Sequence, residues 1–210
     1  SKNAIMMPAI TTRARTRLKR VILVFLFAAT STATLTADQW ALLVEPSFMD
    51  HKMRRPIEGS QRTVLAIARI VNGEIQPLTR EEKKSVHMTY PMIREQALQT
   101  ASEVFKQMKP TFVRTKNQVI QYAAIESDDP LTASCVLAPE FAATFEKTLG
   151  PDLLVAMPTR NQVLVFSKQD DVHLRLAERI INAYLSSNYP VSREIFALKN
   201  GNLRSLGVLE

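Results

Sequence analysis

RTVLAIARIVNGEIQPLT, residues 62 to 79, is the stretch whose reading decides the fold. Asn72-Gly73 falls between two apolar runs, and both residue types tolerate the positive φ that a tight hairpin turn demands. Strands are therefore expected at 63–71 and 74–78. They must be antiparallel, because so short a connection cannot reach the start of a parallel neighbour.

Downstream, Thr79-Arg80-Glu81-Glu82 has the spacing of a capping box, in which the threonine hydroxyl and the glutamate carboxylate each satisfy one orphan N–H of a new helix. Tyr90-Pro91 interrupts that helix, since the residue before proline is pushed toward extended backbone while proline suits a first turn. A second helix is expected over about 91–108, with Ile93, Ala97, Leu98, Ala101, Val104, Phe105 and Met108 on one face and Lys109-Pro110 as its stop.

Further along, TFVR and QVIQYAAI flank Thr115-Lys116-Asn117 as a hairpin, and ESDDP (Glu126–Pro130) reads as a turn. Thr132–Leu137 is expected to be another strand, and Pro139–Leu149 a short helix closed by Gly150. LLVAM and QVLVF flank Pro158-Thr159-Arg160-Asn161, a four-residue hairpin connection. Asp170 or Asp171 caps a helix reaching about Ser187, with Leu176, Ala177, Ile180 and Tyr184 as its buried stripe. EIFAL and NLRSLGV then surround Asn200-Gly201, a second strong hairpin signal.

Upstream, QWALLVEPSF (Gln39–Phe48) reads as a strand that Pro46 confines to an edge or ends early. Met49–Gln61, a basic loop with Pro56 and Gly59, is the least ordered part of the domain by composition. Strands joined to their neighbours by short turns give an α+β fold: a mainly antiparallel sheet built from hairpins, with helices packed on one side.

The chain carries 27 basic and 20 acidic residues, a formal charge of +7. Residues 1–37 hold Lys2, Arg13, Arg15, Arg17, Lys19 and Arg20 and no acid, so only 21 basic residues face the 20 acids from Asp38 onward. That nearly neutral remainder lacks the field that binding to phosphate backbones draws on, and nucleic acid is not expected as a partner.

The same 37 residues have the form of an export leader. A cationic segment to Arg20 precedes the apolar VILVFLFAA (Val21–Ala29), and small and polar residues follow. Ala33 and Ala37 are the cleavage candidates. Residues 21–37 are alternatively a retained anchor, at the short end of what spans a bilayer, and the membrane is expected as a partner only in that case. Met6 and Met7 stand just ahead of the basic stretch, so residues 1–5 are set apart from the leader proper. Residues 38–210 form one domain, exported to the periplasm or cell envelope.

From Pro151 on, DLLVAMPTRNQVLVF, the helix with AERIINAYLSSNYPVSREIF, and ALKNGNLRSLG resemble the YtpQ-like family of uncharacterised bacterial proteins. AIARIVNGEIQPLTREEKKS, IREQALQTASEVFKQM and TFVR extend the likeness upstream, to roughly residues 62–208. The PTRNQVLVF hairpin and the closing Asn-Gly hairpin are its distinctive parts, and the leader is a departure from it. The resemblance implies a fold. It implies no activity, and no catalytic residue is carried over with it.

Counting excludes several chemistries. Five glycines, at 59, 73, 150, 201 and 207, cannot write a dinucleotide fingerprint, a phosphate-binding P-loop or a nucleophile elbow. His51, His87 and His173 are too far apart for a zinc-protease pair, and one cysteine makes neither a disulfide nor a thiolate cage. No cofactor and no metal is expected. Cys135, in TASCVL, reads as a small core residue rather than as a nucleophile served by His87 or His173. Glu126, Asp128 and Asp129 lack calcium-loop spacing and read as a solvated turn.

The binding candidates are Tyr90 with Arg94 in the first turn of the second helix, and Arg160 at a hairpin tip. Either arginine can grip a carboxylate or phosphate with its fork of donors. The expectation is a non-enzymatic binding protein with an unknown protein or small-ligand partner; the alternative is a hydrolase whose residues converge only in space.

Overall fold

A computed structural model of the chain describes residues 39–199 and 201–210. The leader segment with Ala33 and Ala37 lies outside the described residues. Strand β1 (Gln39–Pro46) pairs with β3 (Thr63–Val71), whose far edge is shared in succession by β2 (Arg54–Pro56) and β4 (Glu74–Pro77). The β3–β4 turn is the expected one, with Asn72 at φ 53° and Gly73 at φ 82°. Thr79 and Glu82 form the full reciprocal capping box at the start of α1 (Arg80–Ser85). Then α2 (Tyr90–Gln107) begins with Pro91 in its first turn.

The second sheet has six strands, all antiparallel to their neighbours. They are β5 (Thr111–Arg114), β6 (Ile120–Glu126), β7 (Leu153–Thr159), β8 (Gln162–Ser167), β9 (Glu194–Lys199) and β10 (Asn202–Val208), in the spatial order β10-β9-β7-β8-β6-β5. Two helices interrupt it, α3 (Phe141–Leu149) and α4 (Val172–Ser186). The α+β class and the antiparallel, hairpin-built sheet are as the sequence predicts.

Two features of the architecture differ from the expectation. The strands divide into two sheets, and the helices lie on both faces of the larger one. Alternation along β8 makes this plain: Leu164 and Phe166 pack with Val172, Leu176 and Ile180 of α4, whereas Val163 and Val165 join the core that holds α2, α3 and β1. Where both faces of a strand are buried, the sequence reads as a continuous apolar run, and nothing in such a run says which helix covers which face. On the α2–α3 side Phe105, Phe141 and Phe145 form a tilted aromatic cluster with centroids 4.9–6.2 Å apart. Each such contact adds about 1 kcal/mol to what area burial alone gives.

Thr132–Leu137 is a 3-10 turn rather than a strand. Asp129 explains it: its carboxylate accepts from Leu131 N–H at 2.7 Å and its backbone carbonyl from the Thr132 hydroxyl at 2.6 Å, which curls the chain at Pro130. All six residues are buried, and short apolar runs of that kind do not distinguish strand from helix by period. The β7–β8 connection is also tighter than expected. Thr159 pairs with Gln162, leaving only Arg160 and Asn161 in the turn, and the register shifts between Ala156 and Thr159, where Pro158 has no N–H to give the ladder.

The basic loop is not the least ordered part of the domain. Arg54–Pro56 pairs with β3, Ile67 N–H donates to Met53 C=O at 2.9 Å, and Ile57 is buried. Its end joins the two sheets: Ser205 N–H donates to Glu58 C=O at 2.8 Å, and Gly59, at φ 72°, approaches so closely that a Cβ there would lie 2.8 Å from Ser205 O. Only glycine fits. Asp171 occupies the cap position of α4, yet it stands in left-handed backbone at φ 45° and makes no side-chain cap. The α4 stripe is Val172, Leu176 and Ile180, with Ala177 and Tyr184 half-buried. Among the described residues no helix is long and apolar enough to cross a membrane.

Candidate functional site

The sequence candidates separate into two places. Arg160 leaves the hairpin tip and turns inward. Its Nη2 donates to Glu45 Oε1 at 2.8 Å; the Glu45 side chain is 3% exposed and that of Arg160 29%. Tyr189 shares the arrangement, accepting from Arg160 N–H at 3.0 Å through its carbonyl and placing its ring 5.3 Å from the guanidinium carbon. His51 Nε2 lies 3.9 Å from the other Glu45 oxygen, and has no hydrogen-bond partner among the described residues. A guanidinium held in this way faces a buried acid and has one of its donors committed to it. The expectation of an exposed arginine at a turn tip fails because β1, distant in sequence, brings Glu45 beneath the turn.

Tyr90 and Arg94 do come together, and Arg55 of the basic stretch, one of the loop residues able to contact a partner, joins them. The first two stand at i and i+4 on α2, with Leu98 at i+8, and this one helix face lines a cavity of about 250 Å³. Strand β2 supplies Arg55 opposite them, and its guanidinium carbon sits 4.3 Å above the Tyr90 ring centroid. Such stacking holds the charge in place by cation–π attraction while leaving the edge donors of the fork free. Arg94 Nη2 donates to Asn202 Oδ1 at 3.2 Å at the β9–β10 turn. The floor is apolar: Leu42, Ile57, Leu65, Leu98, Leu137 and Leu203.

The electrostatics of the cavity are one-sided. Among the described residues Glu58 is the one acid in the lining, and it faces Arg204 at 3.4 Å. Neither Arg55 nor Arg94 has a carboxylate partner within 4 Å among the described residues. On the far side of the Arg55–Tyr90 stack lies a second chamber of about 230 Å³, bordered by Lys52, Arg54 and Lys83 and by no acid. The first turn of α2 carries no acidic residue and Thr89 makes no side-chain cap, so the helix dipole adds to the positive potential here.

Two other depressions are larger and fit a ligand less well. One of about 550 Å³, at the tip of the β7–β8 hairpin, is open and polar; several of its groups bond one another, while Gln162 Oε1 is buried without a hydrogen-bond partner among the described residues. Asn161 Nδ2 donates to Ser127 C=O at 2.7 Å and Gln162 Nε2 to Glu126 Oε1 at 2.7 Å. The expected turn of Glu126, Asp128 and Asp129 borders it. The other, about 400 Å³, lies between β10 and the start of α4, and is bordered by both Lys168 and Asp171. There the His173 ring stacks on Phe166, with Nδ1 buried and without a hydrogen-bond partner among the described residues.

A second buried acid is held, among the described residues, without a cation. Glu194, 1% exposed, accepts from Ser60 Oγ at 2.7 Å, Thr63 Oγ1 at 2.6 Å, Ser205 Oγ at 3.1 Å and Gln61 N–H at 3.3 Å. These donors come from both sheets, so the carboxylate fastens one to the other. Cys135 is fully buried in the main core, and burial pushes its thiol well above the ordinary cysteine range; as a neutral thiol it is no nucleophile. No group of three or more histidine, cysteine, aspartate or glutamate side chains among the described residues is placed to hold a metal ion.

Arg55 was legible only in part. The sequence shows a basic pair after Met53, but that Arg55 would stack on Tyr90 depends on β2 pairing with β3, which nothing local specifies. Compared with known proteins, the chain matches no family model, no curated protein and no solved structure.

Proposed function

We propose that this chain is an exported, non-enzymatic binding protein of the bacterial periplasm or cell envelope, and that it takes its ligand in the cavity between β2, α2 and the β9–β10 turn. The observation that carries the reading is the pairing of two arginines lacking acid partners among the described residues with an apolar floor. Such a site offers orientation and charge without a nucleophile or a base beside it. Location rests on the cationic and apolar leader of residues 1–37 and on the near-neutral remainder. Kinship with the YtpQ-like family belongs to the same proposal, resting on the PTRNQVLVF and Asn-Gly hairpins. The hydrolase alternative has the weaker support, since Cys135 has the environment of a core residue.

Two measurements test the reading. Intact mass of the protein from cell-envelope fractions is expected to give a species beginning at Thr34 or Asp38, or a full-length one held in the membrane; full-length protein in the cytoplasm alone refutes export. Leucine-methyl NMR of the protein, titrated with a set of small neutral, cationic and anionic compounds, is expected to shift methyls among Leu42, Leu65, Leu98, Leu137 and Leu203. Shifts confined to other leucines remove the cavity from its assigned role.

A further inference from the structure

We infer that the ligand of this cavity is a compact monocarboxylate with an unbranched apolar tail, a short-chain fatty acid in its chemistry. The inference rests on the binding role just proposed and narrows it to one ligand class.

Size sets the first limit. A space of about 250 Å³ accommodates roughly eight groups of the volume a water molecule occupies, about 30 Å³ each. This is below the range of sites for drug-sized ligands, so nucleotides, sugars with several rings and long-chain lipids do not fit whole. A bare inorganic anion fits but leaves the leucine floor wet, and the apolar surface then contributes nothing to binding.

Charge sets the second. Arg55 and Arg94 present two guanidinium groups to one space whose single acid among the described residues is already faced by Arg204. A ligand that brings no negative charge leaves both, Arg55 exposed and Arg94 half-exposed, to water alone and gains nothing from them. Planar guanidinium forks match the two oxygens of a carboxylate, and the bond is charge-assisted. A cationic ligand is repelled. A dicarboxylate of the same size supplies charge at both ends, and has to place one of them against Leu42, Leu65 and Leu98, where it loses its water without gaining a partner.

Arrangement sets the third. The charged groups are together at one side, on β2 and the first turns of α2, whereas Leu98 lies one turn further along the same helix face. Head and tail are thereby assigned: carboxylate toward Arg55 and Arg94, tail along Leu98 toward Leu42 and Leu65.

The probes are hexanoate, its neutral amide hexanamide, and succinate, each of about eight non-hydrogen atoms and so matched to the cavity. Titrations of the full chain followed by leucine-methyl NMR are expected to give hexanoate a Kd on the order of 0.1–1 mM, as a ligand this small allows. Hexanamide and succinate each bind at least about tenfold more weakly. Arg94→Gln, with an unchanged melting temperature to show that it folds, weakens hexanoate by about tenfold and leaves hexanamide unchanged; Arg94→Lys recovers part of the loss. The inference is overturned if hexanamide or succinate binds as tightly as hexanoate, or if Arg94→Gln binds hexanoate like the parent protein. Should hexanoate be silent while neutral or cationic compounds shift the same methyls, the ligand class is wrong and the binding role of the cavity stands. Should no compound shift them, the binding role falls as well.

Discussion

Arg160 and Arg94 look alike in the sequence, one at a hairpin turn and the other in the first turn of a helix, and in the structure they do opposite things. Arg160 reaches inward to Glu45 and lies beside the Tyr189 ring. Arg94 lines an open cavity with Arg55, and neither meets an acid among the described residues. An arginine becomes a ligand-binding candidate through what it lacks, and that is settled by chain segments far away in sequence. For Arg160 the partner is 115 residues distant.

The comparison is broken most sharply at Arg160. Arg160→Ala leaves a carboxylate that is 3% exposed without its counterion, a change that costs about 3–5 kcal/mol when a buried pair is halved. Urea unfolding followed through Trp40, which is buried in β1, measures it. Adding Glu45→Gln to Arg160→Ala removes the stranded charge, and is expected to restore at least half of the loss. A single-variant loss below about 1 kcal/mol would mean that Arg160 is no more engaged than Arg94.

Glu194 sharpens the same point from the acid's side. It is as deeply buried as Glu45 but is satisfied by three hydroxyl groups and one backbone N–H. Glu194→Ala strands those donors at the joint between the two sheets and is expected to cost about 2–3 kcal/mol, less than halving the ion pair, because each neutral donor loses less than a charge does. Equal losses for the two variants would show that the counterion gives Glu45 nothing beyond hydrogen bonding.

What was legible in the sequence follows the same division between local and distant causes. Asn72-Gly73 and the Thr79–Glu82 capping box are local devices, and each produces the element expected of it; Pro91 opens α2 as expected, but α1 already ends at Ser85 and Tyr90 itself is helical. Thr132–Leu137 was misread because a fully buried six-residue run has no polar face to set its period, and because the Asp129 turn ahead of it acts through side-chain bonds. The division into two sheets was not legible, since it depends on Glu58 and Gly59 docking on Ser205 across almost 150 residues. Of the candidate site, Tyr90 and Arg94 share a helix face by simple spacing. Arg55 needs the β2–β3 register, and Arg160 stands in the expected turn but meets Glu45, which nothing local specifies.

Arg94 supplies the other arm of the comparison. Its side chain bonds Asn202 at 3.2 Å from a half-exposed position and neutralises no buried acid. Arg94→Gln is therefore expected to change stability by no more than about 0.5 kcal/mol in the same urea assay, an order of magnitude below Arg160→Ala. A loss above about 2 kcal/mol would assign Arg94 a structural duty like that of Arg160.

The smallest effect is expected where an arginine–glutamate contact of nearly the same length lies in water. Arg69 Nη2 reaches Glu82 Oε1 at 2.9 Å, but the Glu82 side chain is 37% exposed, and solvent screens the pair. Glu82 also accepts from the Thr79 backbone N–H at 2.9 Å and from the Thr79 hydroxyl at 2.8 Å. Those bonds, the backbone one foremost and Arg69 after them, hold its pKa below the ordinary glutamate value near 4.5. A carboxyl whose folded pKa is depressed binds protons less readily in the native state than in the unfolded one. Its contribution is then fully present above the unfolded pKa and is lost as pH falls through the folded one. Glu82→Gln keeps an acceptor for the cap and removes only the charge. The variant is expected to be slightly less stable than the parent at pH 7, with the gap closing as pH drops below about 4.5. Asp50, held low by Lys52, titrates in the same acid range but equally in both proteins, so it cancels in the difference. Urea midpoints at pH 7 and pH 3 decide the matter: a gap that persists at pH 3 would mean that the cap geometry, and not the charge, is what Glu82 contributes.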